Sequence, residues 1–271
     1  RGDVSLKSQG VYVANVDGLL VEENVFDHNG WHESIDGAEA SLHNHNIYIN
    51  RCHRVVNRKN LYLRASSIGS KIRSDSELAS TEILVEDNLY VEGEIGMTAS
   101  GADSGFIRFH DVTVRNNVFL HIGRSNPTGR NFGWAIDMKS VHDATVVNNH
   151  ILHNQWANSA GIQFAETNVA HVFIRDNLIY DYPQRHISLL AEEEWFDVTV
   201  ENNIMQNPVR GLLLRHMGPF NVARFTGNQY HSPDANWFRT DDGNITYDAW
   251  LMASGEMNST NVALRFPDPS R

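Results

Sequence analysis

The chain has 271 residues, with 22 Lys or Arg against 33 Asp or Glu, so its formal net charge at pH 7 is −11. This acidic balance argues against a nucleic-acid partner, although a local basic stripe can still bind an anionic polysaccharide. The single cysteine, Cys52, excludes a disulfide framework and a cysteine-based metal site, and no run of about 18 apolar residues predicts a membrane span.

The first recognisable element lies in residues 8–26, SQGVYVANVDGLLVEENVF, where short apolar runs alternate with polar residues and lead to Asn24. The preceding Arg1-Gly2-Asp3 is not a natural start, and the first repeat begins in the middle of the pattern. We interpret the chain as a fragment or processed product without its earlier part and export signal. We therefore expect a secreted, periplasmic or cell-surface protein, whose oligomeric state the sequence does not indicate.

The phrase around Asn24 returns along the chain: an apolar residue, two polar residues, an Asn and then further apolar residues. Self-similarity with a period of roughly 20–50 residues indicates a solenoid, a propeller or an array. The recurring residues, separated by 36, 28, 29, 32, 28, 26 and 25 positions, are Asn24, Asn60, Asn88, Asn117, Asn149, Asn177, Asn203 and Asn228.

The repeat length selects among these architectures. The units are too short for propeller blades of roughly 40–50 residues, and they lack the apolar spacing of helical repeats. Runs such as HVFIRDNLIY instead alternate with period two, and three short strands with three turns fit in about 25 residues. We predict an all-β fold, a parallel β-helix of about 8 coils, in which the repeated Asn forms an internal ladder because a buried amide needs partners.

A second strand recurs after each turn, and it supports an alignment of the coils. Its apolar residue should point inward, with successive spacings of 25, 25, 39, 26, 25 and 25 residues: Ile47, Ile72, Met97, Ile136, Ile162, Ile187 and Leu212. The long spacing predicts an insertion at 123–134, and a second long loop occupies 29–45. Both loops enter this strand, so we expect them to wall a groove.

The neighbours of these apolar residues should point outward. One expected column begins with Asn46, Lys71 and Gly96, a second contains Tyr48, Arg73, Thr98, Asp137 and Gln163, and a third contains Asn50, Asp75 and Lys139. The charged residues of these columns concentrate on the early coils, and the later coils have few charged residues at the same positions. This asymmetry is the strongest indication of a site.

These residues suit the β-elimination of a uronate-containing polysaccharide. Lys71 and Arg73 can neutralise a uronate carboxylate and provide a base, because a Lys beside an Arg has a lowered pKa. Tyr48 or His45 is the candidate acid, and Asp137 with Lys139 would orient the sugar. The remaining candidate substrate-binding residues are Asn46, Thr98, Gln163, Trp31 and Trp134.

Two other functions fit the same face. Asp137 with Asp75 or Glu166 could act as the carboxyl pair of a glycoside hydrolase, although we expect the neighbouring cations to lower carboxyl pKa values and disfavour a general acid. A non-catalytic glycan-binding solenoid would use the face only for adhesion. Asp75, Asp137 and Glu166 are also candidate Ca²⁺ ligands, but no compact ligand motif is present and the sequence requires no cofactor.

The final segment abandons the repeat. Residues 245–255, ITYDAWLMASG, have helical spacing and match a cap that would close the end of a solenoid. We divide the chain into a β-helix over residues 1–240 and a C-terminal cap or tail over residues 241–271.

Through the Asn phrase and the coil strands, residues 10–230 resemble the right-handed parallel β-helix superfamily of carbohydrate-active enzymes. NHNIY (44–48) followed by SKIRS (70–74) resembles a pattern found in bacterial members that act on uronate polysaccharides. The resemblance implies a right-handed solenoid, a lyase activity of the pectate or alginate type, and a Lys or Arg base, often with Ca²⁺. In alginate-type lyases the Arg follows the Lys by one coil, whereas GMTASG (96–101) has Thr98 at that place.

Overall fold

In the computed structural model, which describes residues 8–75, 79–101, 106–154 and 158–264, the chain forms a parallel β-solenoid. This confirms the predicted all-β fold. The chain passes through three sheets in turn, which we name A, B and C, and then returns to sheet A one coil further along.

Strands in each sheet pair with the strand of the next coil in parallel register, apart from the last pair of sheet A, which is antiparallel. Sheet A has ten strands: Val11–Ala14, Ile47–Asn50, Ile68–Arg73, Ile95–Ser100, Gly133–Lys139, Ser159–Ala165, Arg185–Leu190, Leu214–Met217, Asn236–Thr240 and Gly243–Thr246. Sheet B has eight: Asp17–Glu22, His53–Arg58, Ser80–Glu86, Phe109–Arg115, Val141–Val147, Val169–Arg175, Trp195–Glu201 and Ala223–Thr226. Sheet C has eight: Val25–Asp27, Leu61–Leu63, Leu89–Val91, Val118–Leu120, His150–Leu152, Leu178–Tyr180, Ile204–Gln206 and Gln229–His231.

The predicted Asn ladder occupies the turn between sheets B and C. The Asn149 Nδ2 donates to Asn177 Oδ1 at 3.0 Å, and the Asn149 Oδ1 accepts from both the backbone N and the Nδ2 of Asn117 at 3.0 Å. The same contact joins every consecutive pair from Asn24 to Asn228. The residue before each Asn has a positive φ, as at Asn148 (54°), so the chain turns sharply and aims the amide inward.

Inside the coils, aromatic rings of sheet C stack along the axis. The ring centroids of Phe26, Tyr62, Tyr90 and Phe119 follow one another at 5.0, 4.8 and 4.6 Å, close to the spacing of the strands. A Cβ added at Gly96 would lie 2.6 Å from the Phe119 ring, so the small residues of sheet A leave space for this stack.

That packing corrects one expected column. Gly96 faces the interior, and Asn46 on the same line is fully buried and donates from Nδ2 to the Leu63 carbonyl at 3.1 Å. His186 on this line is also fully buried. The expectation that this column points outward is wrong because the strand bends: Gly96 and the following Met97 both face the core.

The register of sheet A also differs from the expected alignment at both ends. Ile72 pairs with Ile49 and Ala99 rather than with Ile47 and Met97. Leu214, rather than Leu212, pairs with Ile187. Each shift is two residues, so the inward residues stay inward, but the outward neighbours change. The expected pairings from Met97 to Ile136, Ile162 and Ile187 are confirmed.

The predicted helical spacing near the C-terminus is confirmed by an α-helix over Tyr247–Ser254. Thr246 caps its start by accepting from the Ala249 backbone N at 3.3 Å, and Gly255 ends it with a φ of 67°. A 3₁₀ turn, Phe220–Val222, lies near it, and the helix buries Trp250 against Phe238. Residues 265–271 of the predicted tail lie outside the described residues.

Glu256, just after the helix, ends the Asn ladder. Its Oε1 accepts from Asn228 Nδ2 at 2.8 Å, and its Oε2 accepts from Tyr230 and Trp250 at 2.9 and 2.7 Å. The residue is 6% exposed, and burial raises the pKa of its carboxyl above the ordinary value of 4.5. The last amide of the ladder is therefore satisfied by a side chain rather than by solvent.

Asn149→Ala should lower the free energy of unfolding by about 1–3 kcal/mol for each buried polar group that it leaves unpaired. Urea denaturation followed by far-ultraviolet circular dichroism measures the change. Asn24→Ala is the matched control, because Asn24 is exposed at the first rung of the described ladder and should cost less. Equal losses in the two variants would contradict a cooperative ladder.

Glu256→Gln should destabilise the fold by about 1–3 kcal/mol, because an amide NH₂ would face donors that now meet a carboxyl oxygen. The raised pKa of Glu256 means that folding favours its protonated form, so its contribution to stability falls as pH rises from about 4.5 through the folded-state pKa. Denaturation curves measured across pH should show a smaller fall of the free energy of unfolding in the variant than in the wild type. The exposed Glu192→Gln should leave the pH profile unchanged, and an unchanged profile in Glu256→Gln would contradict the assignment.

Candidate active site

The observed register creates a line of outward-facing polar side chains across sheet A, which we call the polar column. Its members occupy paired positions on successive strands and extend from an aromatic end to a cationic end: Tyr12, Tyr48, Lys71, Thr98, Asp137, Gln163, Ser188, Arg215 and Arg239. Lys71 was expected beside Asn46 and Gly96, and the two-residue shift instead places it between Tyr48 and Thr98. Arg73 moves into the adjacent line with Asn50 and Ser100.

Lys71 is the centre of a compact cluster. Its Nζ lies 3.4 Å from His45 Nε2 and 5.0 Å from the centroid of the Tyr48 ring. The side chain is half-buried, and this burial, together with the charges of Arg73 and Arg130, lowers the pKa of Lys71 from 10.5 to about 8. An amine with this pKa is partly neutral near pH 7 to 8 and can accept a proton.

His45 completes the cluster as a neutral group. It is 2% exposed, and burial, followed by the Lys71 charge, lowers the pKa of its imidazole to about 2. A neutral imidazole can accept a hydrogen bond from Lys71, but it is a poor proton donor to a leaving group. Of the two candidate acids, the structure therefore favours Tyr48.

Tyr48 and Arg73 lie on neighbouring strands, two residues out of register, because Tyr48 pairs with Lys71 and Asn50 pairs with Arg73. Burial raises the pKa of the Tyr48 hydroxyl, while the nearby Arg73 guanidinium opposes this rise by favouring the phenolate. Tyr48 thus holds its proton at neutral pH. Arg73 forms an ion pair with the exposed Asp75, so a substrate carboxylate would share or replace that partner.

Asp137 lies further along the column and is much less exposed to solvent than Lys71. It is 2% exposed and accepts from Gln163 Nε2 at 2.9 Å, while the neighbouring Thr98 hydroxyl is buried without a hydrogen-bond partner. Burial raises the pKa of Asp137 and outweighs the opposing charge of Lys139. The expectation that neighbouring cations lower this pKa is therefore wrong.

Lys139 and Glu166 form a salt bridge beside Asp137, with Nζ 2.7 Å from Oε1. Both side chains are half-buried. Lys139 is thus held two residues beyond Asp137 on the same strand, where it can face a ligand along the sheet.

The two candidate tryptophans differ in their surroundings. Trp31 is 9% exposed, and its indole N donates to the Arg64 carbonyl at 2.8 Å, so it anchors its loop rather than facing the polar column. Trp134 is half-buried and stacks on Phe132, with 4.5 Å between the ring centroids. It lies near the start of the strand that carries Asp137 and pairs with Ile95. Trp134 remains a candidate sugar-stacking residue.

The two long loops wall an open cleft of about 900 Å³, but its lining does not include Lys71 or Tyr48. It lies at the turn between sheets C and A, beside Arg64 and Glu92. The second loop nevertheless reaches the site electrostatically through Arg130, which is held by the fully buried Glu94 at 2.6 Å. The repeat pattern gave no signal for Arg130, because an insertion has no counterpart in the other coils.

The candidate Ca²⁺ ligands do not converge. Asp75 is paired with Arg73, Asp137 with Gln163, and Glu166 with Lys139. Within the described part of the chain, the side chains that do bring three potential metal-ligand atoms within 4.8 Å of one another are His28, which precedes the first long loop, and His32 and Glu33 within it. The sequence reasoning missed this group.

Comparisons with protein-family models, with curated proteins and with solved structures gave no match for this chain. Among the residues described, no helix has the length and apolar character needed to cross a membrane.

The lowered pKa of Lys71 can be tested without a substrate. Arg73→Gln should raise it from about 8 towards 10.5 without reaching that value, because burial is the larger cause and persists. Nuclear magnetic resonance of ¹³C-methylated lysines across pH gives the titration directly. Arg54→Gln, which removes an exposed arginine on sheet B, is the control, and a Lys71 pKa that does not move in Arg73→Gln would contradict the electrostatic account.

Proposed function

We propose that this protein is a polysaccharide lyase that cleaves a uronate-containing polysaccharide by β-elimination. The observation that carries the proposal is the half-buried Lys71 amine, with a pKa of about 8, next to Tyr48, His45 and Arg73 on one outward face. A base, a proton donor and a carboxylate-binding cation are the three groups that this reaction needs.

In the proposed reaction, the neutral Lys71 removes the proton from C5 of a uronate. The electron pair of that C–H bond forms the C4–C5 double bond as the bond from C4 to the glycosidic oxygen breaks. Tyr48 donates its hydroxyl proton to the departing oxygen, which its raised pKa permits. The Arg73 guanidinium binds the uronate carboxylate and stabilises the charge that develops as C5 loses its proton.

The remaining residues support this arrangement. The neutral His45 accepts from Lys71 and fixes its direction, while its own burial keeps a second positive charge away from the amine. Thr98, Asp137 and Gln163 continue the column but are nearly inaccessible, so the half-buried Lys139 is the residue there that is offered to the adjacent sugar. The resemblance to β-helix lyases supports the same reaction, although Thr98 stands one coil after Lys71 where alginate-type lyases have Arg. A polysaccharide substrate supports a location outside the cytoplasm.

A glycoside hydrolase is the second candidate. The pKa of Asp137 is raised by burial, whereas the Glu166 carboxyl lies 2.7 Å from the Lys139 amine, and two carboxyl groups in different environments can act as acid and base. The near-complete burial of Asp137 argues against it, because the acid must reach the glycosidic oxygen.

A panel of uronate polysaccharides distinguishes these functions. A rise in the ultraviolet absorbance of an unsaturated product indicates a lyase. New reducing ends without that rise would favour the hydrolase, and binding without cleavage would favour a glycan-binding solenoid.

Lys71→Ala and Lys71→Arg should both abolish cleavage, because arginine stays protonated and cannot act as the base. Lys71→Arg keeps the positive charge and should retain substrate binding. For the wild type, kcat/KM should rise as the pH passes through about 8, where Lys71 loses its proton. Full activity in Lys71→Arg, with an unchanged far-ultraviolet spectrum, would overturn the assignment.

A further inference from the structure

The opposite end of the polar column holds a cluster of arginines. Arg215 and Arg239 are paired on neighbouring strands of sheet A, and Arg185 begins the preceding strand. The three side chains line a pocket of about 570 Å³. Its other lining residues are Pro183, Gln184, Arg210, Gly211, Leu212 and Asp234.

The three guanidinium groups are bonded to neutral acceptors. Arg185 donates from Nε to the Ser159 carbonyl at 3.2 Å, and Arg215 donates from Nε to the Ser188 hydroxyl at 2.9 Å. Arg239 donates to the Asn244 amide oxygen at 3.1 Å.

None of the three forms a salt bridge with a carboxylate of the described residues. The one acid of the pocket, Asp234, accepts instead from the Gly211 backbone N at 2.8 Å.

Two arginines of sheet B are instead paired with carboxylates. Arg58 pairs with Glu22 at 2.7 Å, and Arg115 pairs with Glu86 at 2.6 Å. Each of these pairs joins residues of neighbouring coils. In a chain with a net charge of −11, three neighbouring arginines without a carboxylate partner among the described residues are a local concentration of positive charge.

The positive charges of the three arginines also repel one another. Burial lowers the pKa of Arg215 to about 10, and the charges of Arg185 and Arg239 add to this effect. Burial and the charge of Arg239 lower the pKa of Arg185 in the same way. An anion in the pocket would relieve this repulsion and accept charge-assisted hydrogen bonds from guanidinium groups that are already positioned.

We infer that Arg185, Arg215 and Arg239 form an anion-binding site that takes the carboxylate or sulfate group of an acidic ligand. The site lies five strand steps from Lys71 (71 to 98, 137, 163, 188 and 215), which is about 24 Å along the sheet. If the proposed function holds, the same polysaccharide chain would follow the polar column from Lys71 to this site. The anion site itself depends only on the arginines.

Thermal denaturation with added sodium sulfate or galacturonate tests the site without any cleavage. Both salts should raise the melting temperature of the wild type more than sodium chloride at equal ionic strength does. The double variant Arg215→Gln/Arg239→Gln should lose this difference. Arg224→Gln, which removes an exposed arginine on sheet B, should keep it.

Isothermal titration with an acidic hexasaccharide, in the inactive Lys71→Arg background, gives the second readout. The double substitution should weaken binding at least about tenfold, the value of one charge-assisted hydrogen bond, and Arg224→Gln should not. Equal anion stabilisation in the wild type and the double variant would overturn the site. Lost anion stabilisation with unchanged hexasaccharide affinity would overturn only the path of the polysaccharide from Lys71 to the arginines.

The two proposals fail separately. Loss of anion binding in the double variant supports the arginine site even where no polysaccharide is cleaved. Cleavage that depends on Lys71, together with unchanged anion binding in the double variant, overturns the arginine site alone.

Discussion

The stacking of one amide on the next, coil after coil, is the interaction on which this structure depends. Each ladder Asn satisfies the backbone N and the side-chain amide of its neighbour, so a coil is complete only when the next coil is in place. The ladder fixes the turn between sheets B and C and thereby holds the coils at the spacing of paired strands. Such a ladder also needs an end, and Glu256 supplies it with two carboxyl oxygens that accept from three donors.

This regular stacking explains the electrostatics of the surface. Side chains at equivalent positions on successive strands are about 4.8 Å apart, so like charges in one column interact strongly. On sheet B, Arg58 and Arg115 are matched by acids of the neighbouring coil, Glu22 and Glu86. On sheet A, Lys71 and the three arginines form no such ion pair within the described part of the chain, and burial adds to the effect. The result is one amine with a lowered pKa and one cluster of mutually repelling guanidinium groups on the same face.

Burial divides the polar column into parts with different chemistry. The half-buried Lys71 and Tyr48 retain access to a ligand. The lowered pKa of Lys71 suits a base, and the raised pKa of Tyr48 keeps its hydroxyl protonated as a proton donor. Asp137 is almost completely buried, and this burial raises the pKa of its carboxyl above the ordinary value of 3.8. Arg130 shows that residues outside the repeat also act on the site, since its charge contributes to the low pKa of Lys71 and His45.

The sequence by itself determined the solenoid, the ladder and the terminal helix, because a repeated Asn with apolar alternation has few ways to be buried. It also identified Lys71, Tyr48 and Arg73 as outward residues of one sheet, since a strand shifted by two residues keeps the same face outward. For the same reason it could not fix which of them are neighbours: shifts of two leave the alternation intact, and only pairing across the coils places Lys71 beside Tyr48. The tertiary structure decided which side chains meet. It turns Asn46 inward, brings His45 to Lys71, places the charge of Arg130 near the site, and brings Arg185, Arg215 and Arg239 together. Each of these arrangements depends on which side chains of different coils come into contact, and the repeat does not specify this.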